Sequence, residues 1–297
     1  MMTISQRLNK ENTAGYIFIS LFIIGFLAFT IVPIGVSFVL SFTDYDILSA
    51  PTFIGLNNFK EMFQDPTFWQ SMGVTFYYAL VSVPLRLIFA LLVAMVLVRP
   101  SKASGVYRAV YYLPSIIGSS VAVAVLWKRL FASDGAINAL LAMVGLPGDT
   151  AWLAQTNTAL WVLIILAVWQ FGSSMLIFLS GLKQIPVSYY EAATIDGASG
   201  PKKFFSITLP MLTPVIFFNL VMQLINGFMA FTQCYIITGG KPLNTTLFYS
   251  VYMYQCSFQF NRMGYGCAMA WIMLILVAVM TGILFKTSNK WVYYESK

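Results

Sequence analysis

Side chains able to do covalent or metal chemistry are scarce in this 297-residue chain. It has no His, which removes the commonest metal ligand and general base. Cys234, Cys256 and Cys267 are odd in number and show no CxxC spacing, so they read as free thiols rather than a disulfide framework. With no Ser/His or Cys/His pair and no metal-ligand cluster, an integral membrane enzyme is disfavoured. Two features remain. Arg86 stands alone in a long apolar run, where it either meets a polar solute and a partner helix or pins backbone carbonyls. The stretch 190–210 sets Glu191 near the start of a run of helix formers, then breaks that run with Gly197 and Gly200–Pro201.

The elements that must position these residues follow from composition. Hydrophobic residues make up 59% of the chain and charged residues only 9%, against about 25% charged in a soluble domain. The apolar residues gather into six segments, 16–42, 73–98, 106–127, 159–182, 207–237 and 264–285, each long enough for the roughly 20 residues of a membrane-spanning helix. The first is much longer than the core of a cleaved signal, about 7–15 residues, and reads as a retained span. The fifth carries Pro210 and Pro214, expected in its first turns, where a missing N–H costs least. The expected fold is all-α, a polytopic membrane protein of six transmembrane helices forming one integral domain over 1–297, with its core at about 70–286.

The net charge of +7 is a topology signal and not a nucleic-acid footprint, because the cations lie in short loops without interleaved aromatics. Arg7, Lys10, Arg99, Lys102, Arg108, Lys183, Lys202, Lys203, Lys286, Lys290 and Lys297 fall on one side of the spans. Only Lys60, Lys128, Arg129, Lys241 and Arg262 fall on the other. The positive-inside rule therefore places both termini, and the loop at about 183–210, in the cytoplasm. Two outer segments, 57–69 and 136–144, have helical spacing and suit helices lying along the outer membrane face or lids over the helix ends. The spans hold no Asp or Glu away from their edges and show no paired Gly/Pro-broken segments, which argues against an ion-coupled carrier or channel. Energy must then come from outside the chain.

The loop gives a source for it. A short helix on the cytoplasmic face, joined by a sharp glycine turn to a membrane helix, suits docking into a groove of another protein. Glu191-Ala192-Ala193, Gly197, Ile207 and Leu209-Pro210 are spaced as in the EAA loop of binding-protein-dependent ABC importer permeases, and the chain resembles that family. Phe53-Ile54-Gly55-Leu56-Asn57, Tyr111-Tyr112-Leu113-Pro114 and Thr238-Gly239-Gly240 are similar to its carbohydrate-uptake branch, with maltose-type and glycerol-3-phosphate-type permeases, and to the first permease of each pair. Lys241 departs from the Gly or Pro common after that turn and sets a cation at the outer mouth.

The resemblance implies a type I importer transmembrane domain in a bacterial plasma membrane. It implies a second homologous permease, two cytoplasmic ATP-binding subunits docked through Glu191, Ala192, Ala193, Asp196 and Gly197, and an extracellular solute-binding protein that delivers a saccharide. No G-x-x-x-x-G-K-[ST] sequence is present, so ATP and Mg belong to the partners and the chain itself is expected to need no cofactor. It further implies a solute pathway at Gln170, Phe171 and Ser174 and at Met222, Ile225, Asn226 and Met229. Helical steps of three and four put the latter four on one face, and Gln170 and Ser174 on another. An amide beside soft apolar groups suits a sugar, although the same polar residues also serve interhelical packing. Arg86 and Lys241 lean towards an anionic or larger saccharide.

Overall fold

The computed structural model describes residues 4–99 and 103–293, with side chains from residue 13 onward. Of the topological cations, Lys102, Lys297 and the side chains of Arg7 and Lys10 lie outside the described residues. The chain forms α1 (Thr13–Leu40), β1 (Thr43–Asp44), β2 (Thr52–Phe53), α2 (Asn57–Gln64), α3 (Pro66–Leu97), α4 (Ser104–Ile117) and α5 (Val121–Leu130). There follow α6 (Ala136–Met143), α7 (Ala159–Trp169), α8 (Gly172–Gln184), α9 (Val187–Ile195), α10 (Leu209–Phe228), α11 (Thr232–Ile237), α12 (Tyr249–Tyr254) and α13 (Met263–Ser288). Helix resumes after α9 at Gly200 and runs through a π turn, Phe204–Thr208, into α10. Of the two outer segments expected to be helical, 136–144 forms α6, while 57–69 divides at Asp65 into α2 and the start of α3.

Four helical stretches are long and apolar enough to cross a membrane alone. Two further pairs reach that length only together: α4 with α5, bent by 99°, and α7 with α8, bent by 42°. The six apolar segments thus appear as four single helical stretches and two bent pairs. At 1.5 Å per residue, the 14 residues of α4 reach about 21 Å, short of the hydrocarbon core of roughly 30 Å. Gly118-Ser119-Ser120 allows the sharp bend between α4 and α5, and the Ser120 side chain accepts from the Val123 N–H to start α5.

The chain divides into two compact units. The first, up to Gln64 with Met253–Met273, pairs β1 antiparallel with β2. The Asn58 amide there donates to the carbonyls of Ser41 and Thr43, each at 2.9 Å. Arg262 pairs with Glu61 and lies over the Tyr265 ring. Most of the α1 surface is bare apolar side chain, as a lipid-facing helix requires.

The second unit, Asp65–Tyr252 with the chain from Leu274, is organised around α3. The Asp65 carboxylate caps its first turn at Thr67 N and Pro66 stands in that turn. Its buried stripe mixes small residues, Ser71, Thr75, Ala79, Ser82, Ala90 and Ala94, with Phe68, Tyr78, Val83, Leu87 and Leu97, and α7, α8 and α10 pack against it. Ala79 of α3 lies so close to Gly227 of α10 that a Cβ there would sit 3.3 Å from the Ala79 methyl. At Gly172 an added Cβ would run into the Tyr111 carbonyl and the Tyr112 backbone of α4, neither of which can move as a side-chain tip could. Gly172→Val is expected to cost at least about 2 kcal/mol, read as a lowered melting temperature of the purified protein. Gly105→Ala, with nothing within 4 Å of the added carbon, should leave it unchanged.

Candidate functional site

The breaks in the membrane helices converge. The carbonyl of Gln170, where α7 ends, accepts from the Arg86 guanidinium of α3 and from Ser115 Oγ of α4 at 2.9 Å. Ser115 Oγ in turn accepts from the Ser173 N–H at 2.9 Å, in the first turn of α8. The carbonyl of Gly118, at the other break, accepts from Gln233 Nε2 of α11 at 3.1 Å. Between α10 and α11 the Ala230 carbonyl accepts from the Ser250 hydroxyl.

These breaks leave a cavity of about 420 Å³, within the roughly 300–1,000 Å³ common for small-molecule sites. Tyr78, Ser82 and Arg86 of α3 form one wall, Ser115 and Ser119 another, and Gln170 and Ser173 a third. Gln223, Asn226 and Met229, with Phe231, Thr232 and Gln233 beyond them, complete it. Its polar groups are hydroxyls, amides and one cation, with no carboxylate among the described lining residues.

Of the seven residues expected in the solute pathway, Gln170, Asn226 and Met229 line this cavity. The other four do not. Ser174 is fully buried and accepts from Gln223 Nε2 at 3.1 Å, a bond between α8 and α10. Phe171 packs edge-on against Phe89 and beside Tyr111. Met222 is exposed and Ile225 half-buried, both outside the lining. The step of four from Gln170 to Ser174 fails as a face rule because the helix is broken between them, so the two turns do not share an axis. Ser115, Ser119 and Gln233 escaped sequence reasoning. For Ser119 a signal was present, the Gly118-Ser119-Ser120 triplet inside an apolar run, where hydroxyls and glycine allow a helix to open.

The expected coupling residues sit on α9, whose form was legible. The helix ends in a left-handed Gly197 with φ +75°, and the Ala198 N–H bonds back to the Ala193 carbonyl at 2.8 Å, closing the end. Glu191, Ala192, Asp196 and Gly197 are exposed and Ala193 is half-buried. Tyr190 OH meets Thr208 Oγ1 at 2.9 Å, and Lys203 Nζ donates to Thr194 Oγ1 at 2.7 Å, so α9 is fastened to the helix entering α10. A shallow groove of about 500 Å³ runs beside it, lined by Tyr189, Ala192, Ala193, Ile207 and Pro210 among others. In the last turn of α5, Arg129 holds the exposed Asp134 carboxyl of the following loop below the usual carboxylate range through a 2.8 Å pair.

Residues 66–292 match the model of the binding-protein-dependent transport system inner membrane component family. The chain belongs to that family. It is 58% identical over 296 residues to the probable ABC transporter permease protein YesP of Bacillus subtilis (strain 168), covering 99% of this chain and 96% of YesP. It is 33% identical to the lactose transport system permease protein LacF of Rhizobium radiobacter, over 93% of this chain and 94% of LacF. The arabinooligosaccharides transport system permease protein AraP of Bacillus subtilis is 31% identical, with 94% and 90% covered. In fold, the chain matches a chain of a solved bacterial ABC transporter involved in the import of the acidic polysaccharide alginate, with a TM-score of 0.81 at 22% identity over 96% of this chain and 99% of that one. The permease is thus a multi-pass transport subunit with the type I importer fold, not an enzyme.

Within the permease, Ser115 serves both broken helices, as donor to Gln170 and acceptor from Ser173. Ser115→Ala is expected to leave the Ser173 N–H without its partner at a cost of about 1–3 kcal/mol. Thermal unfolding in detergent should show that loss, whereas Ser20→Ala on the exposed α1 surface should not.

Proposed function

We propose that this permease forms half of the translocation pathway for a saccharide in a bacterial plasma membrane, driven through α9 by partner ATPases. The observation that carries the reading is the pairing of an exposed, rigidly fastened α9 with a cavity of hydroxyls and amides at the other end of α10. Relatives named for arabinooligosaccharides and for lactose support a saccharide as cargo. A solved importer chain of the same fold, in complex with an alginate pentasaccharide-bound periplasmic protein, supports delivery by a binding protein on the outer side.

The assembly then comprises a second, homologous permease closing the pathway, two cytoplasmic ATP-binding subunits that hold ATP and Mg, and the binding protein. Glu191 to Gly197 present the docking surface. Gln170, Asn226 and Met229 face the solute, the amides matching sugar hydroxyls and the thioether a CH face. Phe171, Ser174, Met222 and Ile225 support the helices that carry those groups.

Glu191→Lys and Gly197→Asp are each expected to lower solute uptake at least about tenfold and to reduce copurification of the ATPases, with insertion into the membrane unchanged. The glycine substitution is the sharper test, because an L-residue at φ +75° strains the turn that sets the helix angle. Normal ATPase association and uptake in both variants would sink the docking role. Asn226→Ala should weaken uptake while the ATPases stay bound; unaltered uptake across a panel of saccharides removes Asn226 from the pathway.

A further inference from the structure

Arg86 brings a charge into the cavity that the fold does not need. The guanidinium is a half-buried group on a membrane helix, its Nη2 gives one bond to the Gln170 carbonyl, and its Nε is buried with no partner. No carboxylate stands among the described residues of the cavity wall to balance it. Taking a cation out of water without a counter-charge costs several kcal/mol, more than a single bond to a neutral carbonyl returns. Nor is that bond required to close the broken helix, because Ser115 Oγ already donates to the same carbonyl. A neutral donor such as Gln would serve as a pin at far lower desolvation cost.

The surplus charge has a use if the solute brings the missing anion. A guanidinium presents parallel N–H groups in a planar fork that matches the two oxygens of a carboxylate. One such cation balances one carboxylate, whereas a phosphate dianion would leave charge over, because no second cation stands among the described lining residues. Around it, Ser82, Gln170, Asn226 and Gln233 offer donors and acceptors for ring hydroxyls. We infer that the cavity selects a saccharide bearing a carboxylate, a uronate, with Arg86 as the group that recognises the carboxylate. This rests on the solute site proposed above and adds to it the charge of the cargo.

The test uses the complete transporter, both permeases with their ATPases, in lipid nanodiscs. Uronate disaccharides of galacturonate, glucuronate and mannuronate are each compared by equilibrium dialysis with the carboxyl-reduced, neutral counterpart. The expected result is at least about tenfold tighter binding of one or more uronates over the matching neutral sugar. In Arg86→Gln that ratio should fall to about one, with neutral-sugar affinity kept; Arg86→Lys should retain part of it. A ratio near one for every pair in the wild type overturns the inference and leaves the saccharide pathway standing. So does a ratio that survives Arg86→Gln, or equal loss of charged and neutral sugars in that variant, the mark of a structural pin. Failure of the wild type to bind any of these sugars overturns the inference together with the cavity's assignment as a solute site. Should Arg86→Gln fail to assemble, the wild-type ratios and Arg86→Lys decide the matter.

Discussion

A broken helix inside a bilayer must find partners for the backbone groups that the break exposes, because no bulk water is there to take them. That constraint governs the second unit of this permease. Each of three breaks has its own side-chain donor: Ser115 and Arg86 at Gln170, Gln233 at Gly118, and Ser250 at Ala230. The donors come from other helices, so every break is also a tie between elements. The same irregular backbone leaves room that straight helices would fill, and the cavity lies where those ties meet. Polar lining and broken helices are consequences of one another here.

The second organising element is the helical stretch from Gly200 through the π turn to Phe228 at the end of α10. At its start, Lys203 and Thr208 are bonded to α9; further along, Asn226 and Met229 face the cavity. Eighteen residues separate Thr208 from Asn226, about 27 Å of helix at 1.5 Å per residue. The bonds at Lys203 and Thr208 thus join α9 to the same helix that presents Asn226 to the cavity. The left-handed turn at Gly197 holds the angle between α9 and that helix.

The form of the 183–210 loop was legible because its shape is set locally. A run of helix formers, one glycine able to take positive φ and a Gly–Pro restart decide it within fifteen residues, and neighbouring spans add little. Four spans were legible from apolar length alone, and the other two apolar runs are the ones the structure bends. The cavity was not, since which face of a span looks inward depends on where each helix breaks. Gln170 and Ser174 are one turn apart in sequence, yet one lines the cavity and the other bonds Gln223 in the packed interior. Sequence periodicity assumes a single axis, and the 42° bend between α7 and α8 removes it. On α10, which runs unbroken to Phe228, Asn226 lines the cavity while Met222 and Ile225 of the same expected face do not.

The absence of acids from the spans and the presence of α9 follow from one choice about energy. A carrier powered by an ion gradient must keep a titratable or coordinating group at its centre and alternate its exposure, which fixes part of the site's chemistry whatever the cargo. A permease moved mechanically from its cytoplasmic face has no such obligation. Its interior can be spent on the solute alone, as hydroxyls, amides and soft apolar groups on the backbone ties of the broken helices. Against that background a lone arginine is conspicuous. In an ion-driven carrier Arg86 would have a coupling acid to answer; here the wall described holds none, and its charge is left to the cargo or to nothing.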